Sequence, residues 1–355
     1  MIRKRCGLWM AERMAFALAA TTFLGIMGLT RAAYTQQPQN SIPKITNAKI
    51  HIEPVRGNIY MLAGSGGNIT LQVGPEGALL VDTGTAEKAD DVLAAIQDTA
   101  RFHLRNLTGP STFIRYIINT SADPEHTAGN WKIAGSNFFD PVYGGEQIIA
   151  HGNVLNRMMT EGEGKGNNTG RGIITDAYFT DYYKLNRFFN GEGVQVIHIP
   201  SAHTDGDSVV WFRSSDVIST GDILETNRYP TIDLERGGSV KGVIDGLNSL
   251  LDLVYAEFRG QGGTLLVPGH GRLCYANDVA YYRDMVAIVR DRVQYMIDKK
   301  MTLEQIKGAK LTKDYDPLYG KEPGSSDRFI EAVFRSLTQD ERLRAKREPD
   351  RAKHQ

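Results

Sequence analysis

Five apolar runs of strand length in this chain each stop at a turn that carries an aspartate or a histidine: GALLVDTG, FIRYII followed by NTSADPEH, VQVIHIP followed by SAH, DVISTGDIL, and TLLVPGHG. Runs this short and this rich in Val, Ile and Leu, bounded by glycine or proline, read as strands buried on both faces. A chain can satisfy that pattern only by stacking its sheets inside a larger fold. The polar residues at the run ends, Asp82, His126, His203, Asp222 and His270, then lie along one edge of the strands, where a rigid scaffold presents functional groups. One histidine in such a place is usually a hydrogen-bonded structural residue. Three of them, with the carboxylates of SADPEH, point to a shared site.

The rest of the pattern supplies more strands and the helices. GNIYMLAG and GNITLQVG precede the first run as further strands, and TAEKADDVLAAIQDTA has helical periodicity with acidic residues near its start. SVKGVIDGLNSLLDLVYAEF and NDVAYYRDMVAIVRDRVQYMIDKK read as helices. Strands then a helix, twice over, predict an α/β fold in which two mixed sheets pack face to face under helices on both sides, an αββα sandwich. With 355 residues the core can be large. The expected organisation is a catalytic domain over 51–275, a C-terminal helical extension over 276–340, and a charged tail over 341–355 that reads as a fraying helix end. Residues 161–172, EGEGKGNNTGRG, read as a mobile loop, and AYFTDYYKLNRFF after it as a helix packed on the core, with a substrate wall as the alternative.

Ahead of the fold, MIRKRCGLWMAERM is basic and AFALAATTFLGIMGL is apolar, so residues 1–33 are expected to be an export signal cut near Ala32 or Ala33. An uncleaved membrane anchor is the alternative. Residues 34–50 are polar and broken by proline, a linker. The expected location is therefore periplasmic or secreted, with membrane contact only through an uncleaved signal. Cys6 falls inside the signal, which leaves Cys274 without an internal disulfide partner.

The 41 basic and 41 acidic residues balance, so no global field favours nucleic acid, and the expected partner is a small-molecule substrate. Glycine-rich stretches lack the strand-GxGxxG-helix frame of a dinucleotide site. Ser65, Ser111 and Ser201 do not sit in a GxSxG elbow, and Cys274 has no basic activator beyond Arg272, which argues against a protein nucleophile. Arg171, Arg187, Arg228 and Lys241 read as solvated surface.

Taken in order, VDTG, the NTSADPEH loop, SAHTDGD, GDIL and PGHG resemble the metallo-β-lactamase superfamily, which includes glyoxalase II, over roughly residues 55–275. The family's loop gives two histidines to a first metal, then an aspartate and a histidine to a second. Carried over, the resemblance puts Ser121 and Asp123 where the first two histidines belong, Glu125 in place of the aspartate, and His126 as the match. It makes His203 the remaining first-metal histidine, His270 the second-metal one, and Asp222 the bridging carboxylate. Asp82 and Ser121 then steady the loop from behind the ligands. The implied cofactor is zinc, as one or two divalent ions, with manganese or iron favoured by the added oxygen donors.

That ligand set can be weighed chemically. Glu125, His126, Asp222 and His270 suffice for one ion, while Asp123, His203 and the shared Asp222 leave an open or a weak position. Asp123, Glu125 and Asp222 together carry excess negative charge, which a second divalent ion would cancel. The expectation is two ions, or one tight and one weak. Asp123 and Glu125 are the catalytic candidates, Asp123 as a ligand or as a general base with a pKa raised by its neighbours. The expected function is an exported metal-dependent hydrolase that turns activated water on a small ester, thioester or amide. A non-catalytic binding protein on the same scaffold and a metal-dependent lyase or cyclase are the alternatives, and the sequence leaves the oligomeric state open.

Overall fold

Alternation along the strands assigns each side chain to one of three cores. The computed structural model describes residues 50–103, 114–136, 147–161, 172–185, 188–254 and 262–351. The expected signal, all of the linker but Ile50, Ser111, Arg171, Arg187, the body of the glycine-rich loop and residues 352–355 lie outside them. Strands β1 (His51–Arg56), β2 (Ile59–Ser65), β3 (Gly67–Gly74), β4 (Gly77–Val81), β5 (Ile114–Ile118), β6 (Gln147–His151) and β7 (Asp176–Tyr178) form one sheet in that order. Pairing is antiparallel from β1 to β4 and parallel from β4 to β7. Strands β8 (Tyr182–Lys184), β9 (Val194–His198), β10 (Ser208–Phe212), β11 (Val217–Ser219) and β12 (Leu265–Val267) form the second sheet in reverse order, with β11 and β12 parallel.

Helices cover both outer faces: α1 (Ala89–His103), α2 (Pro124–Thr127), α3 (Asn130–Ala134) and α4 (Gly152–Glu161) in the first half, then α5 (Val240–Leu253), α6 (Ala276–Asp298), α7 (Leu303–Gly308), α8 (Asp316–Tyr319) and α9 (Ser325–Arg351). Leu79 and Val81 of β4 join Val210 and Phe212 of β10 between the sheets. Their neighbours Ala78 and Leu80 turn outward onto Val92, Ala95 and Ile96 of α1. Val209 of β10 and Ile218 of β11 meet Val243 and Leu247 of α5 on the other outer face. Strands with apolar residues on both faces thus give the αββα layers.

The C-terminal helices share that last core. Val279, Tyr282, Val286, Val289 and Val293 recur every three or four residues along α6 and are buried with Phe329, Ile330 and Val333 of α9. Among the described residues no helix is long and apolar enough to cross a membrane. Cys274 is buried and free.

The aromatic segment does not form the expected helix. Its residues build β7 and β8 instead, with Tyr178 and Phe189 in the core between the sheets and Phe179, Tyr182 and Phe188 exposed. Aromatic residues favour the pleated, half-buried surface of an edge strand, and here two edges are available.

Parallel pairing positions the functional edge. Val81 sits opposite Ile118 in the β4–β5 pair, so the turns at Asp82 and at Asn119 leave the sheet side by side. Ser219 sits opposite Val267 in the β11–β12 pair, which does the same for the turns that carry Asp222 and His270. The sheets are tied where these turns meet, through Thr70 Oγ1 to Ser219 Oγ at 2.9 Å and Ser208 N–H to the Thr120 carbonyl at 2.8 Å.

A second tie is aromatic. His151 at the end of β6 stacks on His198 at the end of β9, with ring centroids 3.7 Å apart and planes 6° from parallel. His198 Nε2 donates to the Asp205 carbonyl at 2.9 Å. Burial, then the neighbouring His198, pulls the His151 imidazole down from 6.5 to about 4, against a smaller opposing effect of Asp205. The unfolded chain therefore takes up this proton more readily than the folded one. The stability due to this residue is complete above pH 6.5 and is lost as the pH falls toward about 4. Urea midpoints measured across this window should fall with pH, and His151→Phe should fall less, because it keeps the stacked ring without the titration.

Candidate metal centre

Asp82 is the hinge of the site. It steps off β4 with a backbone φ of +67°, a left-handed conformation that a residue this size holds only when its surroundings fix it. The fixing bonds are visible. Its Oδ1 accepts the Thr120 N–H at 2.8 Å, while its Oδ2 accepts the Thr120 hydroxyl at 2.7 Å and the His126 Nδ1–H at 2.8 Å. His126 lies in the one-turn helix α2, which Pro124 starts at its first position. Its carbonyl accepts Thr83 N–H at 2.9 Å and Thr83 Oγ1–H at 3.1 Å. With main chain and Nδ1 both held, Nε2 of this buried ring is aimed inward.

What it meets is Asp222. Oδ1 of that carboxylate lies 3.0 Å from His126 Nε2 and 3.5 Å from His270 Nε2. Oδ2 lies 3.9 Å from His203 Nδ1. Gly269 makes this approach possible, since a Cβ there would stand 2.5 Å from Asp222 Oδ1 and 2.7 Å from the Gly221 backbone. Gly67 plays the same part beside His126, where a Cβ would come within 2.8 Å of the ring.

The donor atoms fall into two groups that share Asp222. His126, Asp222 and His270 form one, and Asp123, His203 and Asp222 the other, each with its ligand atoms within 4.8 Å of one another. Nε2 of His126, Nε2 of His270, Oδ1 of Asp222 and Nδ1 of His203 are all buried without a hydrogen-bond partner. The 3.0 Å approach of His126 to Asp222 lacks hydrogen-bond alignment. A buried polar atom left unpaired costs about 1–3 kcal/mol, so the three that face one another, of His126, His270 and Asp222, are arranged for something else. Two imidazole nitrogens and a carboxylate oxygen around one point fit a divalent cation.

Electrostatics prepare Asp222 and His270 as ligands, while His126 and His203 would give up a proton to an ion. Burial opposes a charged Asp222, but His126, His203 and His270 outweigh it and hold the carboxyl well below its usual range. Burial also lowers His270 to about 4, which keeps the imidazole neutral at pH 7 with a lone pair to give. For His126 burial works against the cation, yet Asp222 and Asp82 raise it well above the ordinary value. Asp123 and Asp207 do the same for His203.

The remaining predicted residues take different places. Asp123 reaches His203 Nε2 with Oδ2 at 3.3 Å, and its Oδ1 accepts from Arg236 Nη1 at 2.8 Å. Its pKa is lowered, not raised as expected. Burial alone would raise it, and the His203 hydrogen bond and charge prevail. Ser121 is buried with its hydroxyl accepting the Asp123 N–H at 3.3 Å, so it steadies the loop. Glu125 stands outside both groups. Its carboxylate is 48% exposed, 3.0 Å from His270 Nε2 and 3.8 Å from Arg228 Nη1.

Three further residues belong to the site. Asp207 approaches His203 Nδ1 at 3.4 Å and is itself held by Thr204 N–H at 2.6 Å and Thr204 Oγ1–H at 2.8 Å. Its signal was its place four residues after His203 in SAHTDGD. Arg228 is not the solvated residue expected, because its Nε donates to the fully buried Glu225 at 2.7 Å and it is only 25% exposed. Arg236 comes from an irregular loop, and no spacing marks it. Lys241 is exposed and paired with Asp245, as a surface residue would be.

The sequence description of the metallo-beta-lactamase superfamily matches residues 62–276. Among solved structures, the chain is similar to the inverting sec-alkylsulfatase Pisa1 from Pseudomonas sp., at 15% identity and a TM-score of 0.54, over 80% of this chain and 50% of that one. A double mutant of the same sec-alkyl sulfatase gives 16% identity, a TM-score of 0.56, and 82% and 50% coverage. The DIM-1 metallo-beta-lactamase gives 14% identity and a TM-score of 0.49 over 67% of this chain and 97% of that one. The chain spans about half the length of the alkylsulfatases it matches. A search of curated proteins found no match.

Proposed function

The chain belongs to the metallo-beta-lactamase superfamily, a family of metal-dependent hydrolases, and from that premise we propose that it is an exported hydrolase acting on a small ester, thioester or amide. Export rests on the basic-then-apolar start of the sequence. The observation that carries the catalytic reading is the set of buried, unpaired donor atoms of His126, Asp222 and His270 facing one another. These three would hold the ion. Zinc suits two imidazoles and a carboxylate, and manganese or iron are accommodated by the oxygen donors nearby.

Such an ion supplies Lewis acidity toward a carbonyl oxygen and makes water a nucleophile near neutral pH. The chain's own residues do the rest. Asp82 engages Nδ1 of His126 and so sets the ring with Nε2 pointing inward, where an ion would take the place of its proton. Asp123 is anionic at neutral pH and accepts hydrogen bonds, which orients a water without storing its proton. Glu125, half exposed beside His270, is the carboxylate placed to pass a proton to solvent.

Protein purified without chelator, assayed for metal content and screened against chromogenic esters, thioesters and lactams, tests the proposal. Hydrolysis lost on chelation and restored by zinc or manganese supports it. A loaded chain inert toward every class would move the reading to a binding protein on the same scaffold.

A further inference from the structure

We propose that Arg236 takes the place of a second metal ion, so that the centre binds one divalent ion, at His126, Asp222 and His270, and the guanidinium neutralises the other donor group. The inference rests on the metal-dependent reading above.

Three observations carry it. Arg236 Nη1 donates to Asp123 Oδ1 at 2.8 Å, a charge-assisted bond between guanidinium and carboxylate. Its main chain and Nε are held as well. Its Nε lies 3.5 Å from Asp233 Oδ2, its N–H donates to Asp233 Oδ1 at 3.0 Å, and its carbonyl accepts from Asp205 N–H at 2.9 Å and Arg157 Nη2 at 2.8 Å. The guanidinium is therefore a built part of the site.

The second observation is the poverty of the donors around it. Asp222 is shared with the first group, Ser121 spends its hydroxyl on the Asp123 N–H, and one Asp123 oxygen is engaged by Arg236. That leaves His203, a single Asp123 oxygen 3.3 Å away and the shared Asp222, a poorer set than the two imidazoles and carboxylate of the first group.

The third is charge. Asp123, Glu125 and Asp222 bring three carboxylates to the donor positions, and Arg236, which also lies 3.5 Å from Asp233, sets its guanidinium against the first of them. Arg228 is already engaged by Glu225. A second divalent ion would have to sit against that guanidinium and be repelled by it.

Metal stoichiometry decides the matter without recourse to activity. Elemental analysis and calorimetric titration of the full chain with zinc should give one tight ion for the wild type. Arg236→Lys, which keeps the charge, should also bind one. Arg236→Gln should acquire a second binding event, tighter than any weak one in the wild type by on the order of tenfold. Two tight ions per wild-type chain would overturn the inference while leaving the hydrolase reading intact, and that measurement needs no variant to fold. A single ion in Arg236→Gln as well would take the role away from Arg236. No stoichiometric ion in any form would remove the metal-dependent reading beneath it.

Discussion

Replacing Asp222 with alanine is expected to empty the purified chain of metal and to lower hydrolysis by at least about a thousandfold, because this carboxylate is the only residue common to both donor groups. A second effect accompanies the first. In the metal-free protein Asp222 faces His126, His203 and His270, and it is their nearest shared anion. Removing one partner of a buried charged set typically costs about 3–5 kcal/mol, so the urea midpoint of the chelated protein should fall as well. Asp222→Asn separates the two. It keeps the shape that packs against Gly269 and loses only the charge, so it should lose the metal with a smaller loss of stability. Full metal content in Asp222→Ala would mean that the cation lies elsewhere.

Asp82→Asn should weaken zinc binding by about 10–100-fold, although Asp82 is no ligand. The carboxylate accepts three hydrogen bonds, two from Thr120 and one from His126 Nδ1. An amide cannot accept all three. If its NH2 faces His126, the ring must turn Nδ1 into an acceptor and carry its proton on Nε2, where the metal needs a lone pair. If its NH2 faces the Thr120 N–H instead, two donors collide. Asparagine tolerates the left-handed backbone at this position, so the fold should survive and the loss should register in competition titrations with a zinc-binding dye.

Much of the site could be read in the sequence because strand ends announce themselves. An apolar run that stops at Asp or His in a glycine turn fixes both the strand and the direction of the functional edge, and Asp82, His126, His203, Asp222 and His270 all arrived that way. Which turns become neighbours depends on strand pairing, in particular the parallel β4–β5 and β11–β12 pairs, and a single sequence does not print its register. Glu125 shows the limit of reasoning by position. Its extra methylene carries the carboxylate toward the rim, between His270 and Arg228, rather than into either donor group. Arg236 and Arg228 were illegible for a different reason. Both sit in irregular chain between β11 and α5, where neither period nor turn chemistry indicates that a cation will be drawn inward by Asp123 or Glu225. The aromatic run around Tyr178 was misread because its burial signal does not distinguish a helix from two edge strands.

His126 leaves the first sheet and Asp222 and His270 leave the second. An ion gripped by all three is thus a rivet through the sandwich, and only the folded chain can offer it. By mass action, free ion at about a thousand times its dissociation constant adds roughly 4 kcal/mol to the unfolding free energy. Melting temperature should climb with zinc concentration, and protease should open the chelated chain first. Availability of the ion in the surroundings would then set how long the protein survives as well as whether it can work.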